Sequence, residues 1–187
     1  VRRSAGGIGP ATTTLTTLGR TLGFDVTTRI GEHPKVFWRT TADTGVPLKI
    51  KIEMNTHERA PALPTVERDL TVDSRWWAGA ACVPTFQPAE LVATKIRALY
   101  QRSKGRDLFD LWLALTRLHL APQVIVAAFA PYRPAGLTSR HATENLRRKL
   151  DDVQFRHDLD LLVGDPPHDY DIDAAAELVA DTLLAAL

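Results

Sequence analysis

The sequence predicts an α+β chain, with an α/β part over residues 1–87 and a helical bundle over residues 88–187. Three observations carry this. Residues 48–55 alternate strictly, with Leu48, Ile50, Ile52 and Met54 on one side and Lys49, Lys51, Glu53 and Asn55 on the other, the period of a half-buried strand. From Pro88 to Leu187 nearly every stretch reads as helix. Breakers separate those stretches at Gly105, Pro122, Pro131-Tyr132-Arg133-Pro134 and Gly164-Asp165-Pro166-Pro167.

In chain order, residues 10–22 form a helix despite the run Thr12, Thr13, Thr14, Thr16 and Thr17, because Leu15, Leu18 and Leu22 recur at helical spacing and Gly23 can end it. Residues 26–30 and 35–41 read as strands, and Asp43-Thr44-Gly45 as the turn before the strand at 48–55. Residues 56–68 are interrupted by proline and read as extended or loop. Short strands follow at 70–72 and 81–86, with Trp76-Trp77 between them. The helices are expected at 89–102, 105–118, 122–130, 138–150, 152–163 and 173–186.

The chain has 187 residues, 44% of them apolar and 24% charged, which is an ordinary globular composition. Lys and Arg total 23 against 22 Asp and Glu, so the net charge of +1 excludes a polybasic protein. The charge is polarised all the same. Residues 95–106 and 140–149 are basic, and 165–181 are acidic. Arg outnumbers Lys by 17 to 6, a mix suited to gripping phosphate. Cys82 is alone, which excludes an intrachain disulfide and a cysteine zinc site. The longest apolar stretch, 124–130, is far too short to span a membrane, so a soluble cytoplasmic protein is expected. The start Val1-Arg2-Arg3-Ser4-Ala5-Gly6-Gly7 lacks the apolar core of a signal peptide.

The densest polar run is 90–111. On a helix Lys95 and Arg102 share a face, and in the next helix Asp107 and Asp110 do. A tight turn at Gly105 would fold the helices back and bring Lys95 near two carboxylates. Two readings stay open. One is a phosphate-binding lysine beside functional acids. The other is ordinary first-turn acid and surface ion pairs. Glu53, with Lys49 and Lys51, lies on the polar side of its strand. One acid is not a metal site, and no Asp-x-Asp or Asp-x-Glu pair occurs in residues 1–87. The six histidines show no metal-ligand spacing, and His57-Glu58-Arg59 reads as loop. Gly6-Gly7-Ile8-Gly9-Pro10 before a helix is only a weak phosphate-cradle signal.

The order Ile50-Lys51-Ile52-Glu53, then Glu90-Leu91-Val92-Ala93-Thr94-Lys95-Ile96-Arg97-Ala98-Leu99, then Lys104-Gly105-Arg106-Asp107-Leu108-Phe109-Asp110-Leu111 resembles the AbiEii/AbiGii nucleotidyltransferase toxins, including MenT-like mycobacterial members. The resemblance implies a polymerase-β-like sheet with a C-terminal helical domain, and Mg²⁺-dependent transfer from an NTP to the 3′ acceptor end of tRNA. It implies a type IV toxin with a cognate antitoxin encoded nearby. By position it gives Lys95 to the NTP phosphates, Asp107 and Asp110 to the acidic motif, and Glu53 to the metal. Lys51, Arg102, Lys104 and Arg106 become substrate-binding neighbours. The family's Gly-Ser turn and Asp-x-Asp or Asp-x-Glu pair have no match here. The pair is expected immediately upstream of Val1, so the sheet reads as incomplete at its N-terminus. Two other functions fit the same residues: a shortened relative that only binds RNA or an antitoxin, and a transferase modifying a protein or small molecule.

Overall fold

Threonine is a poor helix former, yet the threonine-rich stretch is helical as α1 (Gly9–Thr21), opening on Pro10. Thr12 and Thr21 turn their hydroxyls back onto the carbonyls of Ile8 and Thr17, both at 3.0 Å, so their polar groups compete little with the helix. The structure is a computed structural model that describes residues 7–56, 60–75, 77–160, 162 and 167–187. Val1 to Gly6, His57-Glu58-Arg59, Trp76 and Gly164-Asp165-Pro166, all noted in the sequence, lie outside the described residues. The chain divides into two compact units, Val1–Ala60 and Pro61–Leu187. Pro88 is where helices take over. The division between units falls earlier, so the second unit contains strands as well.

In the first unit α1 is followed by β1 (Asp25–Arg29), β2 (Lys35–Thr41) and β3 (Pro47–Glu53), an antiparallel sheet in the order β1-β2-β3. Val26, Trp38 and Ile50 are cross-strand partners, and so are Val36 and Ile52, which puts the apolar residues on one face. Helix α1 packs there. Trp38 donates its indole N–H to the Leu15 carbonyl at 3.1 Å, and Phe24 stacks on Trp38 with centroids 5.4 Å apart. Gly19 is required at this contact, since a Cβ would stand 2.5 Å from the Trp38 nitrogen. Leu48 and Ile50, farther along that face, keep 49% and 48% of their surface exposed. The opposite face carries Asp25, Arg39 and Lys49 in one row, Thr27, Phe37 and Lys51 in the next, and Arg29, Lys35 and Glu53 in the third.

The second unit begins with an antiparallel ribbon, β4 (Val66–Asp73) paired with β5 (Ala78–Thr85). It is longer than the short strands expected at 70–72 and 81–86, and it takes in residues 66–68, which the sequence left as extended or loop. Most of its side chains are exposed, so no alternation announces it, and backbone pairing alone sets its length. Ser74 closes the turn, donating its hydroxyl to the Trp77 carbonyl at 2.9 Å.

Helices follow as α2 (Pro88–Gln101), α3 (Gly105–Thr116), α4 (Pro122–Phe129), α5 (Ser139–Leu150), α6 (Val153–Arg156) and α7 (Ile172–Thr182). They share one apolar core around Ile96, Leu108, Leu111, Ile125, Phe129 and Phe155, each no more than 1% exposed. Thr138, Asp152 and Asp171 cap α5, α6 and α7 by accepting backbone N–H bonds. The helix expected over 152–163 is only the single turn of α6. Asp158, just beyond it, accepts from the Arg106 backbone N–H at 3.3 Å, one of the unpaired donors in the first turn of α3. The chain turns to make that contact and the helix stops. Among the described residues no helix is long and apolar enough to cross a membrane.

Candidate active site on helices α2 and α3

The turn between α2 and α3 is built around a glycine. Gly105, the first residue of α3, is buried, and a Cβ there would collide with the Phe155 carbonyl oxygen. Only glycine lets the start of α3 approach this closely. Lys149 of α5 fixes the other side of the turn. Its ammonium donates to the carbonyls of Leu99, Tyr100 (3.0 Å) and Arg102 (2.9 Å), the orphan acceptors at the end of α2. Burial pushes the Lys149 ammonium down to about 8, against an opposing pull from Asp107.

This turn brings the expected residues together. Lys95 lies 2.6 Å from the Asp110 carboxylate and 3.6 Å from that of Asp107. Arg102 grips Asp107 with two parallel bonds, Nε at 2.6 Å and Nη2 at 2.7 Å. The hydrogen bond to Asp107 raises the Arg102 guanidinium above its ordinary value. Asp107 is fully buried, and Lys95 and Asp110 are 35% and 36% exposed. So Asp107 is no helix cap. It anchors two cations, one clamped from the helix end and one left partly open to solvent. Lys104 and Arg106 both face Asp158, at 3.3 and 3.9 Å.

Glu53 and Lys51 belong to the first unit. Glu53 meets Lys51 at 2.9 Å and Lys35 at 3.3 Å. The hydrogen bond from Lys51, with help from Lys35, holds its carboxyl below the usual range. Among the described residues no three His, Cys, Asp or Glu side chains gather as they would around a metal ion.

Two residues that matter here were not singled out by the sequence. One is Lys149, hidden in a run of surface cations. The other is Glu90, noted only as part of a motif. Glu90 is fully buried and accepts from the backbone N–H groups of Ala62 and Leu63, both at 2.6 Å, and from the Tyr132 hydroxyl. Burial, and then the bond to Glu90, pushes Tyr132 up to about 12. The signal available was its position, in line with Ala93 on the apolar side of α2.

Lys95 of α2 is thus held against two acids of α3, beside the clamped Arg102–Asp107 pair. The sequence matches the family model of the AbiEii nucleotidyl transferase toxin, type IV toxin–antitoxin system, over residues 12–178. The chain belongs to that family, a family of nucleotidyltransferase toxins that implies an antitoxin partner. No curated protein matches the chain, and neither does any solved structure.

Proposed function

We propose that this chain is a nucleotidyltransferase that moves a nucleotide from an NTP to the 3′ acceptor end of tRNA in the cytoplasm, and so blocks translation. In this reading the β1–β3 sheet corresponds to a polymerase-β-like sheet, and α2–α7 to the helical domain that accompanies it. The single observation that supports it is Lys95, held between Asp110 at 2.6 Å and Asp107 at 3.6 Å and still 35% exposed. The acids fix the position of the ammonium before substrate arrives, and an NTP phosphate can take the place of Asp110. A charge placed in advance costs no reorganisation when negative charge develops on the leaving pyrophosphate. Arg102 keeps Asp107 in place, and Lys104 and Arg106 add positive charge beside it. In the first unit, taken by itself, Lys51 is a further candidate for binding substrate.

Mg²⁺ is the cofactor this chemistry calls for. The described residues do not form its site by themselves. Glu53 is a lone carboxylate already bound by two lysines, and Asp107 is committed to Arg102.

The pairing of these acids with cations also favours a second reading, a relative that binds RNA or its antitoxin without chemistry. Incubation with labelled NTPs, Mg²⁺ and total tRNA separates the readings. Label on tRNA, lost on chelation and reduced by on the order of 10² or more in Lys95→Ala at unchanged Tm, is the expected result. Label on protein or a small molecule, or no label, overturns it.

A further inference from the structure

We propose that the polar face of the β1–β3 sheet is a docking surface for the phosphate backbone of single-stranded RNA. Arg29, Lys35, Arg39, Lys49 and Lys51 surround Phe37 on this face, and two carboxylates, Asp25 and Glu53, share it with them. Glu53 takes up Lys35 and Lys51. Arg29, Arg39 and Lys49 instead place their charged ends over the Phe37 ring, at 5.8, 5.5 and 5.9 Å from its centroid. Arg39 also donates to the Thr27 hydroxyl at 2.7 Å. Among the described residues Arg29 and Lys49 meet no carboxylate at ion-pair distance, and both are exposed.

The chemistry of the occupant follows from three points. Positions on one sheet face repeat about every 5 Å across strands and about 7 Å along them, so the cations form a flat lattice suited to a chain of phosphates. Phe37 is only 9% exposed, because three cations cover it, so bases cannot stack on it. The surface therefore reads charge and not sequence. A protein partner would need an apolar anchor at the centre of the contact. This face offers none, since Leu48 and Ile50 lie on the other side of the sheet.

This inference deepens the proposed function by giving the acceptor a place to dock, and it rests on that reading for the choice of RNA. The test is binding of the whole chain to a labelled 20-nucleotide RNA of mixed sequence across a salt series. Arg29→Gln with Lys49→Gln should weaken binding at least tenfold and make the log–log salt slope shallower by about 1.4, since each single-strand phosphate contact contributes roughly 0.7. Arg20→Gln with Arg68→Gln removes the same charge from exposed sites elsewhere and should change affinity less than twofold. Equal effects of the two pairs overturn the proposal. So does an affinity that follows base sequence, or equal affinity for a poly-glutamate peptide of matched charge. RNA binding lost in the first pair while wild-type chain labels no tRNA would leave this surface standing and the proposed reaction fallen. Labelling of tRNA with an unchanged KM in the first pair would do the reverse.

Discussion

Glu53 on β3 and Asp107 on α3 are both carboxylates met by two cations, and the two regions put that arrangement to opposite uses. Glu53 is 36% exposed on an open sheet face, and its lysines share it loosely. Asp107 has no exposed surface and is gripped by a planar guanidinium. Water can replace the partners of Glu53 and cannot replace those of Asp107. A surface ion pair contributes little because solvent screens it. A buried one becomes indispensable once formed, because breaking it strands a charge. The helix-turn region is thus a fixed constellation with one adjustable member, Lys95. The sheet face is a field of cations with few internal commitments.

The largest expected difference is between the carboxylates themselves. Asp107→Asn should cost about 3 kcal/mol, the low end for a broken buried pair because Arg102 can still reach solvent. Thermal unfolding should show it as a Tm lower by roughly 6–12 °C. Asp110→Asn, at a partly exposed site, should stay within about 1 kcal/mol. Equal losses would erase the distinction between buried anchor and open neighbour.

Gly105→Ala comes next. The new methyl must displace the Phe155 carbonyl, a backbone atom, at a cost of about 1–3 kcal/mol. A Tm loss of roughly 2–12 °C is expected. An unchanged Tm would mean that the α2–α3 turn has slack, and the constellation would not be fixed.

Lys149 gives a pH signature to the same region. Its folded value of about 8 lies below the 10.5 of a free lysine. Between these values the unfolded chain binds a proton that the folded chain does not, so the Lys149 contribution to stability improves as pH rises from about 8 to 10.5. Below pH 8 its burial penalty is present in full. The Tm of wild type relative to Lys149→Met should therefore rise across that window. A flat difference would show that Lys149 is not desolvated in the folded chain.

The smallest effect is expected on the sheet. Glu53→Gln should move Tm by less than about 1 °C at neutral pH, because both lysine partners remain solvated. Since its carboxyl is lowered, the Glu53 contribution is present above the ordinary carboxyl value and fades as pH falls through the folded one. A larger shift would make Glu53 an anchor like Asp107.

Much of this arrangement was legible in the residues. The alternation at 48–55 gave β3 and both of its faces. Helical spacing with Gly105 gave two helices folded back so that Lys95 meets Asp107 and Asp110. Local periodicity is enough for this, since it fixes which side chains share a face. It was not enough for the β4–β5 ribbon, whose exposed side chains carry no periodic signal, or for the length of α6.

Sequence by itself therefore determined the family, the order of elements and the identity of the charged groups, because these rest on residue type and short-range spacing. Tertiary structure decided which charges are buried. Lys149 reaches the end of α2 from a helix about 50 residues away, Glu90 pins the backbone of Ala62 and Leu63, and Asp158 closes the start of α3. Desolvation is a property of the surroundings that long-range packing assembles, and no local pattern encodes it. That is why Asp107 and Glu53, alike in sequence as acids beside cations, differ in what the folded chain can do without.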